Sequence, residues 1–252
     1  MVIQYCSDLH LEFRENKEFL ERFPLEPVGD VLLLAGDVVP FRSMGRYNAF
    51  WDFVSGHYQK VYWLPGNHEY YNSDVSERSG HLEETIRPNV TLVNDTVLRL
   101  GPVRLVFTTL WSRISPLHEW PIERGMSDFH LIRYQGRRLT SCLFNDLHES
   151  CLDFLKGALR ETSDCPTIVV SHHVPTYQHY PDKYRGSVLS DAFAVELSDL
   201  IEETGPDHWI YGHHHCNVPD FTIGKTILHT NQLGYVQYGE NQGFAPDKAL
   251  TI

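Results

Sequence analysis

The fold is decided by a short stretch, 31-VLLLAGD-37, in which five apolar residues lead directly into a glycine and an aspartate. An uninterrupted apolar run of this length, ended by a turn signal, is typical of a strand buried on both faces. A second stretch, 61-VYWLPGNH-68, has the same form, and residues 47–58 between the two carry apolar side chains at helical spacing. Strand, helix and strand at this spacing predict a βαβ unit and therefore a parallel sheet.

The same pattern of an apolar strand that ends in polar residues recurs along the chain. It is found at residues 2–7, 167–170 and 208–211. Further strands are predicted at 91–93, 97–100, 103–109, 221–223 and 226–229, and further helices at 144–159 and 192–201. Ligands of open α/β sheets bind beyond the carboxyl ends of the strands, so we expect the functional residues in the loops that follow them.

Five polar clusters follow the five most apolar strands. They are Asp8-Leu9-His10, Gly36-Asp37, Gly66-Asn67-His68-Glu69, Ser171-His172-His173 and Gly212-His213-His214-His215. A single such cluster has an ordinary explanation, because Asp and Asn are common turn residues and most single histidines are not ligands. Five clusters at five strand ends indicate one shared site. Nitrogen and oxygen donors without a thiolate suit Mn, Fe or Zn in an open site better than a closed structural zinc site.

Composition narrows the possible classes of protein. The chain has 252 residues, of which 42% are hydrophobic and 15 are histidines, against only 21 Lys and Arg. A formal net charge of -12 argues against an extended nucleic-acid-binding face, and no apolar run is long enough to cross a bilayer. Five cysteines, an odd number without a CxxC pair, favour free thiols in a reducing compartment, so we predict a cytoplasmic protein.

The order of the five clusters resembles the motif series of the calcineurin-like metallophosphoesterase superfamily, which runs DxH, GD, GNH followed by an acid, a lone His, and GHxH. The resemblance extends from Asp8 to His215. It implies a single domain over residues 1–252, built as a four-layer α/β/β/α sandwich. In such a sandwich two mixed sheets are flanked by helices, and the site lies at the C-terminal ends of the strands.

The resemblance also implies a set of roles around two divalent metal ions (Mn, Fe or Zn). The implied ligands fall into two groups that share the bridging residue Asp37: Asp8, His10 and His215 for one ion, and Asn67, His172 and His213 for the other. A hydroxide between the ions would attack phosphorus in line, and His68 would protonate the leaving oxygen as a general acid. Side chains two positions apart in an extended strand end point the same way, which would bring both members of DxH to one site.

Three residues beside these ligands have open roles. Glu69 either orients an imidazole or forms a surface salt bridge. His173 and His214 are predicted neighbours of the ligands, although a shift of one position would exchange His173 with His172.

Substrate contacts are predicted from two segments. Residues 112–140 look like a long irregular lid or insertion loop with many arginines, among them Arg113, and a solvated loop is an equal alternative. Residues 183–187, with Arg185, follow His172 closely and offer a second candidate, for which a plain loop is an equally good explanation. A small phosphorylated substrate is expected in either case.

The predicted function is therefore metal-dependent hydrolysis of a phosphomonoester or phosphodiester. The alternatives are a non-catalytic metal-binding scaffold of the same fold, or a nuclease or cyclic-nucleotide phosphodiesterase of the same superfamily. The sequence leaves the oligomeric state open.

Overall fold

Two six-stranded sheets form the centre of the structure, a computed structural model that describes residues 1–252. The strands of the first sheet are β1 (Val2–Cys6), β2 (Val31–Ala35), β3 (Lys60–Leu64), β4 (Leu82–Arg87), β5 (Val90–Asn94) and, from the end of the chain, β14 (Ala249–Thr251). Those of the second are β6 (Thr96–Leu100), β7 (Val103–Thr108), β10 (Thr167–Ser171), β11 (His208–Tyr211), β12 (Phe221–Ile223) and β13 (Thr226–Thr230). A small hairpin, β8 (Arg133–Tyr134) and β9 (Arg137–Arg138), lies outside both sheets.

Both sheets have the same plan. The first has the order β14-β1-β2-β3-β5-β4 and the second β12-β13-β11-β10-β7-β6. In each sheet four parallel strands form the centre, and an antiparallel strand closes either edge. The carboxyl ends of the parallel strands therefore meet at one edge of each sheet.

Successive side chains of the buried strands point to opposite faces of the sheets, which divides the core into layers. In β2, Leu33 faces a core between the two sheets, whereas Leu32 and Leu34 face a larger cluster outside the first sheet. Residues on both faces are fully buried, which explains why this strand is a continuous apolar run. On the second sheet, Leu105 faces the inner core and Trp209 an outer one.

Helices cover the outer faces. They are α1 (Arg14–Arg22), α2 (Asn48–His57), α3 (Glu119–Gly125), α4 (Asp128–Leu131), α5 (Ser141–Arg160) and α6 (Ser198–Thr204). Trp51 and Val54 of α2 pack outside the first sheet, and Ile201 of α6 packs outside the second. The predicted α/β sandwich of two mixed sheets flanked by helices is thus confirmed. None of the helices has both the length and the apolar character that crossing a bilayer requires.

Two sequence-based predictions of local structure are wrong. The helix predicted at 192–201 is replaced by a 3₁₀ helix, Val188–Ala192, and by α6, because Ala194 between them forms a β-bridge to Val174. Segment 112–140 is not irregular, since it contains α3, α4 and the β8–β9 hairpin. These elements are two to seven residues long, too short for periodicity to reveal.

The inner core generates a prediction about stability. We expect Leu105→Ala to lower the free energy of unfolding by about 2–5 kcal/mol, because the fully buried side chain would leave a cavity between the sheets. The matched control is Leu117→Ala, whose side chain is 86% exposed and which should change stability by less than about 0.5 kcal/mol. Urea denaturation of both variants measures the difference, and equal midpoints would contradict this assignment of the core.

Candidate metal centre and active-site cleft

The polar clusters at the ends of five strands meet in one place. Asp8 and Asp37 follow the neighbouring strands β1 and β2, and their loops are joined by hydrogen bonds from the Asp8 N–H to the Gly36 carbonyl and from the His10 N–H to the Asp37 carbonyl, both 2.9 Å. Across the second sheet, the Gly212 N–H donates to the His172 carbonyl at 3.0 Å. The seven residues proposed as ligands are all buried or nearly so.

The backbone at this site takes an uncommon conformation. Asp8, His10, Asp37, His213 and His215 all have positive φ, between 46° and 79°. Non-glycine residues rarely adopt this left-handed region, and such outliers gather at functional sites. The extended strand end expected for DxH is therefore wrong: both Asp8 and His10 turn their side chains inward through left-handed backbone.

One group of donors forms around Asp8. His10 Nε2 and His215 Nε2 face each other at 2.9 Å. The Asp8 carboxylate lies 3.3 Å from His215 Nε2, and Asp37 Oδ2 lies 3.7 Å from His10 Nε2. Four side chains thus direct ligand-type atoms at one point.

A second group lies on the other side of Asp37. His172 Nε2 is 3.1 Å from His213 Nδ1, 3.2 Å from Asn67 Oδ1 and 3.4 Å from Asp37 Oδ2. The same Asp37 oxygen therefore faces both groups. Gly66 leaves the room that this needs, since a Cβ there would collide with the Asp37 carboxylate and the His172 ring.

The outer nitrogen of each of the four imidazoles has an oxygen acceptor. His10 Nδ1 faces Glu12 at 3.2 Å and His215 Nδ1 faces Glu240 at 2.7 Å. His172 Nδ1 and His213 Nε2 face the backbone carbonyls of Ala35 and Ala192, at 2.9 and 3.3 Å. A hydrogen bond from the outer N–H leaves the inner nitrogen with its lone pair, which is how metal-binding histidines are held.

These donors fit a pair of divalent ions. Two ligand atoms about 2.1 Å from one ion and at right angles to each other lie about 3.0 Å apart, close to the spacing of both imidazole pairs. The donors are imidazole, carboxylate and amide oxygen, a set that Mn, Fe and Zn accept. The residues present could therefore hold two ions with Asp37 between them.

Buried negative charge dominates the electrostatics. Burial lowers the pKa of His172, but the charge of Asp37 outweighs it and raises that pKa to about 10. Burial also lowers the pKa of His215, but hydrogen bonds with Asp8 and Glu240 stabilise the charged imidazole. The pKa of His215 therefore rises to about 9. The carboxylates of Asp8 and Asp37 thus favour positive charge at the centre. Two divalent metal ions carry more positive charge than two protonated imidazoles.

Glu69 has neither of the two roles expected of it. It is fully buried, forms no salt bridge, and its hydrogen-bond partners do not include an imidazole. Its carboxylate accepts hydrogen bonds from the backbone N–H groups of Asp37, Val38 and Gly66, at 2.7–2.9 Å, and from the Trp63 indole at 3.0 Å. Glu69 therefore joins the loops after β2 and β3.

His68 lies beside both groups with each ring nitrogen occupied. Nδ1 faces Glu12 Oε1 at 2.9 Å, and Nε2 faces the Tyr235 hydroxyl at 3.1 Å. The ring stacks on Tyr71 with centroids 4.0 Å apart. Burial lowers the pKa of His68, but the charges of Asp37 and Glu12 raise it above its ordinary value.

Asp128 supports the amide proposed as a ligand. Its Oδ1 accepts hydrogen bonds from Asn67 Nδ2 at 2.9 Å and from the Tyr71 hydroxyl at 2.7 Å. The first bond turns Asn67 Oδ1 toward His172. Sequence reasoning missed Asp128, Glu12, Tyr235 and Glu240, because they lie outside the motifs and reach the site only through folding.

The other predicted site residues are placed as follows. His173 is buried beside Trp111 with its Nδ1 3.3 Å from the Thr109 carbonyl, and His214 Nδ1 accepts a hydrogen bond from the Gln232 amide at 2.8 Å. His172, not His173, faces Asp37. Arg113 and Arg185 are exposed and outside the cleft, and Arg185 pairs with Asp182 at 3.0 Å.

A cleft of about 300 Å³ opens over the centre. Its floor contains Asp37, Asn67, His68, His213 and His215. Its sides come from the turn between α3 and α4 and from residues 180–193. Segment 112–140 therefore reaches the cleft through Gly125, Met126 and Ser127 rather than through its arginines.

The contact between Asp128 and Asn67 can be tested directly. We expect Asp128→Ala to weaken binding of one of two Mn²⁺ ions about 10–100-fold, since Asn67 loses the partner that orients its amide. The other ion should bind as in the wild type. Calorimetric titration of metal-free protein measures both affinities, with Asp182→Ala, an exposed aspartate, as the control. Two unchanged affinities in Asp128→Ala would contradict the supporting role of Asp128.

Comparisons with known proteins agree on the family. The sequence model described as calcineurin-like phosphoesterase matches residues 1–217. Across its full length the chain is 30% identical to an uncharacterized protein of Acanthamoeba polyphaga mimivirus, of which it covers 96%. A second relative is a Nostoc sp. protein named 3',5'-cyclic-nucleotide phosphodiesterase, to which the chain is 24% identical. The alignment covers 60% of this chain and 43% of the Nostoc protein.

The fold agrees as well. The solved structure of phosphopantetheinyl hydrolase from Mycobacterium tuberculosis aligns with 99% of this chain and 95% of its own, at a TM-score of 0.73 and 18% identity. The motif series, the two mixed sheets and the match over residues 1–217 lead to the same conclusion. The chain belongs to the calcineurin-like phosphoesterase family.

Proposed function

We propose that this protein is a phosphoester hydrolase that depends on two divalent metal ions. The observation that carries the proposal is the common orientation of four buried imidazoles. Each has its outer nitrogen against an oxygen acceptor and its inner nitrogen toward the two donor groups that share Asp37. A scaffold that bound partners without metal would need neither this alignment nor the left-handed backbone that produces it, and a non-catalytic metal-binding scaffold differs from the proposed enzyme in having no turnover.

The residues have distinct parts in the proposed reaction. Asp8, His10 and His215 would hold one ion, Asn67, His172 and His213 the other, and Asp37 both. Bound there, Mn, Fe or Zn ions would polarise a phosphoryl oxygen and lower the pKa of a water molecule.

His68 is the proposed general acid. Glu12 accepts a hydrogen bond from Nδ1, so that its charge stabilises the imidazolium and Nε2 can carry a proton toward the cleft. Stacking on Tyr71 fixes the ring plane. On substrate binding, Nε2 would exchange its contact with the Tyr235 hydroxyl for a hydrogen bond to the oxygen of the departing alcohol.

A phosphodiester is the favoured substrate type. The similarity to the Nostoc protein named 3',5'-cyclic-nucleotide phosphodiesterase supports it. A nuclease acting on long chains has less support, because the cleft is small and none of its lining residues is Lys or Arg. A cytoplasmic location stays a prediction.

The role of His68 predicts a dependence on the leaving group. We expect His68→Gln to lower kcat about 10²–10⁴-fold for an ethyl leaving group, which needs a proton, and much less for 4-nitrophenolate, which leaves unaided. Hydrolysis of ethyl 4-nitrophenyl phosphate and diethyl phosphate by the Mn²⁺-loaded protein measures the contrast. His57→Gln, an exposed histidine, is the control. An equal loss on both substrates would contradict the acid role.

Metal dependence gives a second test. The wild type reconstituted with Mn²⁺ should hydrolyse bis(4-nitrophenyl) phosphate, and chelation should abolish the activity. Asp37→Asn should lower kcat at least about 10²-fold, because the shared carboxylate is lost. An absence of turnover with each of Mn, Fe and Zn, on diesters and monoesters alike, would contradict the proposed function.

A further inference from the structure

The outer wall of the cleft presents apolar and aromatic side chains interspersed with Ser127, Ser187 and Ser190. Met126 forms one side, and Tyr180, Tyr184 and Leu189 form the other. Tyr184 and Leu189 are only partly buried, so their side chains present surface to the cleft. None of these four residues forms a hydrogen bond with the side chains proposed to bind metal. Holding the ligands therefore does not explain why these four residues line the cleft.

The two sides of this wall are fastened to each other. Asp191 Oδ2 accepts a hydrogen bond from the Ser115 N–H at 3.0 Å and lies 2.8 Å from His118 Nδ1. Gly125 lies next to Leu189, since a Cβ added to the glycine would be in van der Waals contact with the leucine Cδ2 at 3.5 Å. The wall is therefore a built surface that joins residues far apart in the sequence, and not two independent loops.

The size and charge of the cleft limit what fits against the wall. A volume of about 300 Å³ is at the lower end for ligand sites, enough for a phosphoryl group and one ring-sized substituent. Glu240 is the charged side chain at the rim, where its carboxylate lies 2.7 Å from His215 Nδ1 and accepts a hydrogen bond from the Tyr235 N–H at 2.9 Å. A second anionic group on the substrate would face this carboxylate, which lines the cleft, whereas Lys183, with its Nζ 4.6 Å from the centre of the Tyr184 ring, is not among the lining residues.

We propose that the cleft selects small phosphoesters with one phosphorus and an uncharged, ring-bearing organic group, which packs against Tyr180, Tyr184 and Leu189. Aromatic rings pack favourably on tyrosine and leucine when both are withdrawn from water. The carboxylate of Glu240 would disfavour polyphosphates and other polyanions. This assignment rests on the proposed function, since the phosphoryl group must lie over the metal centre.

Equilibrium binding of phosphonates tests the assignment without turnover, because their carbon–phosphorus bond is not hydrolysed. Calorimetry on the Mn²⁺-loaded protein would compare phenylphosphonate, methylphosphonate and 4-carboxyphenylphosphonate. We expect phenylphosphonate to bind about tenfold more tightly than methylphosphonate. The added carboxylate should remove most of that advantage.

Variants locate the preference on the wall. Tyr184→Ala should reduce the phenyl preference at least about threefold while leaving the affinity for methylphosphonate unchanged. Tyr184→Phe should retain the preference, because the ring remains. Tyr238→Ala, which removes a tyrosine that is 72% exposed and outside the cleft, should behave as the wild type.

The outcomes separate this assignment from the proposed function. Equal binding of phenylphosphonate and methylphosphonate, or a preference that survives Tyr184→Ala, would overturn the assignment alone. Tighter binding of 4-carboxyphenylphosphonate would overturn it as well. A protein that binds none of the three and hydrolyses no phosphoester would contradict the proposed function, and this inference with it.

Discussion

The carboxylate of Asp37 is the group on which the site depends. One of its oxygens accepts the His68 N–H at 2.8 Å, and the other faces the imidazoles of both donor groups. Its own N–H donates to Glu69, which also holds the loop after β3. A buried carboxylate is costly unless positive charge balances it. The charge on Asp37 thus links the packing of three loops to the chemistry proposed for the site.

The sequence predicts the parts of the structure that follow from local pattern. Apolar runs such as 31–35 become buried strands, and the polar residues after them meet because parallel strands end at the same edge. The helix predicted at 192–201 fails because Ala194 finds a strand partner, Val174, that no local pattern announces. The same limit explains why Asp128, which is 61 residues from Asn67 in the chain, escapes sequence reasoning.

The site residues show this division as well. The motif series brought the expected ligands to notice, and the structure places them in two groups around Asp37. The motif series does not predict how the ligands are oriented. Their orientation depends on left-handed backbone at Asp8 and His213 and on acceptors such as Glu12 and Glu240. Arginine density pointed to segment 112–140 for substrate contact. In the structure the apolar Met126, and not Arg113, reaches the cleft. The proposed metal ligands at the strand ends are thus separate from the cleft wall that would select the substrate.

The central claim is that two ions share the Asp37 carboxylate. Electron paramagnetic resonance of the protein loaded with two equivalents of Mn²⁺ tests it most directly, because ions about 3.5–4 Å apart are magnetically coupled. We expect a coupled-pair spectrum in the wild type that becomes the signal of isolated Mn²⁺ in Asp37→Ala. A wild-type spectrum of isolated ions, or saturation at one ion per chain, would show that Asp37 does not join two ions.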